Sequence, residues 1–448
     1  MRKSFVVLLM AASMMMSVWV FQPLAYAVDE IKIGAIFALS GSVAPIGQSV
    51  KQALELAVKE VNREGGIKSL GGAKIKLVFA DSRGDAKIGL SEAERLILQD
   101  KVVAIVGAHQ SSVTMTSTQV AEKYKVPYLA TIAVSDQITA RGFKYVFRAN
   151  ENATMAAKEL LAFLDGMGKS TGKPIKTLGF LYENTEWGQN SAKAWHNYSK
   201  QYGFKVLLDE PYPSTTTDIS PVILKFKKEN PDAVVNASYI SDMILIVKTM
   251  SEQKWMPKAF ISGGGGELEP DFINAVGNLA DDNFTYLPFP PDILLSQKFA
   301  WAKPMAEEFK KDYNVEISGN SGEAYGIFWI LLDAIQRAGS TDREKIREAL
   351  AKTNITEESA KTNKMHLRAL LLPYKRIAFG PDGQNPYVRI PICQFQNKDI
   401  RTVYPADIVA PGINASNSKI MFTAETRSTG LSQTLCGKEE KGIRLLHR

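Results

Sequence analysis

The sequence predicts an α/β protein of two lobes, each a parallel sheet wrapped by helices. Three observations predict it. Apolar runs of strand length alternate with amphipathic segments of helix length from residue 31 onward, the pattern of βαβ units. The alternation restarts after residue 152. A chain of 448 residues also exceeds one typical domain.

In order, IKIGAIFAL (31–39) reads as a buried strand. Val50, Leu54, Ala57, Val58 and Val61 then recur at helical spacing until Gly65 and Gly66 stop the helix. KIKLVFAD (74–81) is the next strand, and Asp85 can cap a helix running to about Gln99. VVAIVG (102–107), a helix over 111–124 and VPYLA (126–130) complete the first rhythm. The second begins with a helix over 154–167. Strands follow at 175–183, 205–213, 232–238 and 258–262, with helices at 189–202, 218–228 and 242–253 between them. Helices dominate 296–353, and strands return within 374–408. Lobe crossings are expected near 147–150, 286–290 and 379–386, where Gly380, Pro381 and Gly383 supply turn chemistry. The expected organisation is therefore a leader over 1–27 and a first lobe over 28–148. A second lobe covers 149–285 and a helical return to the first covers 286–378. A hinge with returning strands covers 379–409, and a polar tail follows over 410–448.

Arg2 and Lys3, an uncharged run from Phe5 to Phe21 and the small-x-small Ala25-Tyr26-Ala27 have the layout of a secretory signal peptide cleaved after Ala27. The rival reading, a membrane anchor, has a marginal span and no basic flank. A mature chain outside the cytoplasm is expected, with no later membrane span. Of the formal charge of +7, the leader carries two and the tail after Ile413 three. The body is left too weakly basic for a nucleic-acid binder. Cys393 and Cys436 can pair in an oxidising compartment or stay free thiols.

Catalytic motifs are missing. No G-x-S-x-G elbow and no Walker loop occurs. ISGGGGELEP (261–270) lacks the last glycine of a dinucleotide fingerprint. It reads as a turn where something approaches the backbone closely. His109, His196, His366 and His447 show no metal-ligand spacing. His109 is either a general base or a polar loop histidine, and no paired nucleophile or carboxylate accompanies it. No cofactor, no metal and no enzyme activity are implied.

VVAIVGAHQSSVT places Ser111 and Ser112 where a strand tip turns into a helix. Unpaired N–H groups and partial positive charge there can hold a carboxylate or another polar acceptor. The competing reading is simple N-capping by either serine.

The opening IKIGAIFALSGSVAPIGQSVKQALELAVKEVNREGGI resembles that of the branched-chain amino acid group of type I periplasmic binding proteins. VVAIVGAHQSSVT, VPYLATIAVSDQITARGFKYVFRAN and FLYENTEWGQNSAKAW are similar too, and the likeness runs over about residues 30–408. The resemblance implies two Rossmann-like lobes joined by three hinge crossings, closing on a ligand and docking on an ABC permease of the inner membrane. It implies a monomer and no enzyme. It also implies ligand contacts at Ser111, with Ser112 beside it, in the loop holding Ala133, Val134 and Ser135, and at Trp187 and Tyr239. Ile46 stands where the family has an aromatic. Gly264 stands where it has the acid that pairs with the ligand ammonium, and Glu267 is the nearest acid.

Without an acid at Gly264 an α-ammonium loses its partner, and a buried unpaired charge is costly. The expectation is a ligand with an acid or amide group and an apolar or aromatic body, stacked on Trp187 and Tyr239. The competing reading makes those rings plain packing aromatics. A substrate-binding protein of an ABC importer is the favoured function, capturing a small amino-acid-like or carboxylate/amide ligand. A ligand sensor feeding a receptor or regulator is the rival.

Overall fold

The computed structural model describes residues 29–405 and 407–408. The leader, Cys436 and the whole of the tail lie outside the described residues.

The first sheet is built from β1 (Glu30–Phe37), β2 (Lys74–Asp81), β3 (Ala104–Gly107), β4 (Tyr128–Ala130) and β5 (Val146–Arg148), in the order β2-β1-β3-β4-β5. All its pairings are parallel. Burial on both faces explains the near-continuous apolar runs. Helices α1 (Ala44–Arg63), α2 (Ala86–Leu98) and α3 (Ser111–Lys123) connect its strands. The stripe Val50, Leu54, Ala57 and Val61 of α1 is buried. The Asp85 carboxylate caps α2, accepting from the N–H groups of Lys87 and Ile88 at 2.7 and 3.0 Å. The cap of α3 is different. Gln110 occupies the N-cap without a side-chain bond, and Ser111 is already the first helical residue. Neither serine caps the helix, which corrects the capping expectation.

After α4 (Gln137–Ala140) and β5 the chain enters α5 (Ala153–Ser170) and the second sheet. That sheet holds β6 (Thr177–Glu183), β7 (Lys205–Tyr212), β8 (Ala233–Ala237), β9 (Ala259–Ser262) and β10 (Phe284–Tyr286). They are interleaved with α6 (Glu186–Tyr202), α7 (Ser220–Glu229), α8 (Ile240–Glu252) and α9 (Pro270–Val276). Their order is β10-β9-β8-β6-β7, the same second-first-third-fourth-fifth arrangement as in the first sheet. In both, the order reverses beside the first strand, the switch point where ligands bind beyond the strands' carboxyl ends.

The chain then forms α10 (Lys303–Tyr313), the buried α11 (Gly319–Ala338), α12 (Arg343–Ala351), β11 (Asn354–Thr356), α13 (Glu357–Ala360), α14 (Lys364–Ala369) and β12 (Arg376–Ala378). Helices α10 and α11 pack against α1, on the first lobe. Finally β13 (Ile392–Gln396) and β14 (Asp399–Tyr404) extend the second sheet antiparallel beyond β10. Two segments read from sequence as crossings begin as strands, β5 at the edge of the first sheet and β10 between β9 and β13, because their buried residues complete the sheets. The first and third crossings run side by side. The Arg148 N–H donates to Gly383 O, and the Asn385 N–H donates to Arg148 O, each at 2.9 Å.

Candidate functional site

A cavity opens between the two sheets at their carboxyl ends. Its empty space is about 450 Å³, open solvent at the mouth included. The first lobe contributes Ile46, His109, Ser111, Ile132 and Val134, and the second Trp187, Tyr239, Gly264, Gly265 and Leu268. The crossings add Glu151, Tyr286 and Pro288, and α11 adds Asn320 and Glu323.

Most positions singled out from sequence meet here, but not all. The Ser111 hydroxyl faces the cavity and accepts the Ser135 N–H at 3.2 Å. Ser112 instead lines an outer cleft with Arg83, Gln110, Thr185 and Asp242. Ala133 and Ser135 form the loop behind the wall. Their carbonyls accept from the Arg148 guanidinium at 3.3 and 2.6 Å. The Ser135 hydroxyl crosses the cleft to Glu186 Oε1 at 2.7 Å, and the Asp136 N–H reaches Asn190 Oδ1 at 3.0 Å. Arg148 is 0% exposed and also holds Gln384 Oε1 at 2.7 Å. Burial lowers its pKa to about 10. This one side chain thus ties the loop of Val134 to the third crossing.

In the second lobe, Trp187 and Tyr239 pack on each other with ring centroids 4.9 Å apart and line the cavity. The two rings belong to the core and also line the cavity. Gly264 has a left-handed backbone (φ +72°), and a Cβ there would lie 2.7 Å from the Tyr286 ring. The Tyr286 ring fills the space a side chain at 264 would need. Glu267 does not line the cavity. Its Oε1 accepts from Ser262 Oγ and Thr285 Oγ1, each at 2.6 Å, and from the Gly265 N–H at 3.0 Å.

His109 is a loop histidine, between β3 and α3, and it is buried. It lines the cavity at 6% exposure, and neither ring nitrogen has a hydrogen-bond partner. Burial pulls its pKa down to about 3, so the ring is neutral. Among the described residues no cluster of His, Cys, Asp and Glu suits a metal ion. Cys393 is buried with its Sγ 3.7 Å from Thr402 Oγ1. Its expected partner Cys436 is outside the described residues.

Sequence reasoning missed the groups on the crossing side of the cavity. Glu151 and Glu323 are 2% and 1% exposed. Glu151 Oε2 and Glu323 Oε1 have no hydrogen-bond partner. Tyr286 and Glu151 share a side-chain hydrogen bond. Burial raises the Glu151 pKa to about 7, and burial plus repulsion from Glu151 raises that of Glu323 well above the carboxylate range. One signal was available: Glu323 is an acid inside the otherwise apolar GEAYGIFWILL. Glu151, in a polar crossing, had none.

Residues 30–371 match the family described as Periplasmic binding protein. "Leu/Ile/Val-binding protein homolog 8" of Brucella melitensis is 30% identical over 88% of this chain and 94% of its own length. Among solved structures, the fold is similar to a leucine binding protein, LivK, of Thermotoga maritima. The TM-score is 0.70 at 22% identity, over 83% of this chain and 97% of that one. It is also similar to a solute binding protein of an ABC transporter from R. palustris in complex with benzoate. There the TM-score is again 0.70, at 17% identity, over 83% and 95% of the two chains. Both lobes, their strand order and the matched span agree: the chain belongs to the periplasmic binding protein family, as a type I member of its branched-chain amino acid group, whose proteins bind solutes and are not enzymes.

Proposed function

We propose that this chain is the periplasmic substrate-binding protein of an ABC importer. It is exported by its N-terminal leader and works as a monomer. It captures a small amino-acid-like, carboxylate or amide ligand between the lobes and presents the loaded form to a membrane permease. The supporting observation is the cavity itself, walled by the N-terminus of α3 at Ser111 on one lobe and by Trp187 and Tyr239 on the other. A helix N-terminus stabilises an anionic or polar acceptor, and the paired rings suit an apolar body. Relatives of the same fold carry isoleucine or benzoate in their crystals, which fits that range. Among the described residues no helix is long and apolar enough to cross a membrane.

The mechanism is a population shift. Ligand touches both lobes only when they approach, so it favours the approached state by its differential affinity and by no more. The Ser135–Glu186 and Asp136–Asn190 hydrogen bonds across the cleft would add to that state. Thermal unfolding of residues 28–448 with a panel of amino acids, aromatic and aliphatic carboxylates and small amides tests the proposal. A ligand at 100 times its Kd adds about 2.7 kcal/mol and raises the midpoint. A panel without any shift would overturn the stated ligand class.

A further inference from the structure

We infer that Glu151 and Glu323 form a receptor for a protonated nitrogen of the ligand, replacing the acid that Gly264 lacks and placed on different elements of the fold. The inference rests on the capture reading above and deepens it: the ligand is an organic ammonium or amidinium compound, not a deaminated acid.

The argument starts from cost. Two carboxyl groups are buried in one cavity whose wall is otherwise largely apolar, with Ile46, Ile132, Val134 and Leu268 in it. Each keeps an oxygen without a partner. Burying an uncompensated carboxylate costs several kcal/mol, and apolar residues would fill the same wall without that cost. No Lys or Arg lines the cavity. The buried cation that acts on Glu151, Arg148, spends its N–H groups on Ser135 O, Ala133 O, Gln384 Oε1 and Thr139 Oγ1. The Arg148 charge acts on Glu151 without touching it, and the free oxygens of Glu151 and Glu323 still have no donor from the chain; a donor from outside, or a proton, supplies it.

The neighbours agree with a cation. Tyr286, Trp187 and Tyr239 offer ring faces on the same wall, which attract a desolvated ammonium. His109 is neutral and adds no positive charge. The other titratable groups that act on the pair are Tyr286 and Tyr374, both protonated phenols, and Arg148. Glu267 acts on Tyr286 from behind. Among the described residues no group of three or more His, Cys, Asp or Glu is placed to hold a metal ion. Without ligand and below pH 7, protons neutralise most of the pair, as its raised pKa values require. A bound ammonium would displace one of them, leaving one carboxylate to pair with it and one neutral carboxyl.

The test is isothermal titration of the 28–448 protein with matched pairs. The probes are leucine and 4-methylpentanoate, phenylalanine and 3-phenylpropanoate, and 4-aminobutyrate and butyrate. The expected result is binding by an amine-bearing member with its deaminated counterpart silent. At pH 6.5, titrations in buffers of different ionisation enthalpy should show close to one proton released per ligand. E151Q should weaken that ligand about tenfold or more and reduce the proton release. E323Q should act in the same direction, and neither variant should lower the ligand-free melting midpoint at pH 8. Binding by deaminated acids with E151Q unchanged would overturn the inference while leaving the capture reading standing. Binding by an amine without proton release, and insensitive to both variants, would also overturn it. Silence across all pairs would overturn it together with the stated ligand class.

Discussion

Replacing Gly264 by alanine probes the feature that distinguishes this cavity most sharply. The residue has φ +72°, where an L side chain costs about 1 kcal/mol. A Cβ there would lie 2.7 Å from Tyr286 Cε2 and 2.9 Å from its Cζ. Those distances are inside van der Waals contact, and the ring is packed in the core beside Glu151. Displacing a packed ring costs about 1–3 kcal/mol. Gly264→Ala should therefore lose about 2–4 kcal/mol in total. Gly142→Ala is the control: it has the same φ of +72° with nothing within 4 Å of the added carbon. It should lose only the backbone share of about 1 kcal/mol. Urea titrations at constant m value read both losses from the midpoints. A Gly264→Ala loss no larger than that of Gly142→Ala would refute the claim that Tyr286 occupies the side-chain space at 264.

Trp187→Ala should weaken ligand binding by tenfold or more and lower stability by about 3 kcal/mol, because the ring is both core and cavity wall; titration and urea unfolding read the two effects separately. Arg148→Leu should cost about 3 kcal/mol or more, since it leaves the Ser135 and Ala133 carbonyls and Gln384 without their buried donor. Ligand-free stability should fall as pH rises from about 4.5 to 7, as measured by urea unfolding across that range. Glu151, Asp242 and Glu269 each hold a pKa raised to about 7 by burial. The folded state therefore binds more protons than the unfolded chain in that window, and each group costs about 3–4 kcal/mol once ionised. His109 works the other way, since a pKa lowered to about 3 means stability is lost as pH falls below its unfolded value near 6.5. Glu151→Gln should shrink the carboxyl-driven fall by about 3 kcal/mol, the share of that one group.

The doubled architecture was legible because its signals are local. The apolar run of β1, the 3.6-residue stripe of α1 and the Asp85 cap of α2 depend on neighbours in the chain, and the structure has them where the spacing places them. The strands β5 and β10 were less legible. Each is three residues long, and its partners decide whether it pairs.

The site divides along the same line. Ser111, Trp187 and Tyr239 follow the strand tips of β3, β6 and β8, so a reading of strands and turns brings them to the carboxyl ends of the sheets, where ligands sit. Composition and spacing also excluded the common catalytic motifs. What the tertiary structure alone decided is the crossing side of the cavity. Glu151 and Glu323 are 172 positions apart in the numbering, and no periodicity connects a crossing loop to the middle of a buried helix. Their meeting depends on α11 returning to pack on α1. The Ser111 hydroxyl bonds a loop rather than its own helix end, and Glu267 faces inward to Ser262 and Thr285. Each of these outcomes is set by which elements pack together across long sequence separations, and that information is carried by the whole fold rather than by any stretch of it.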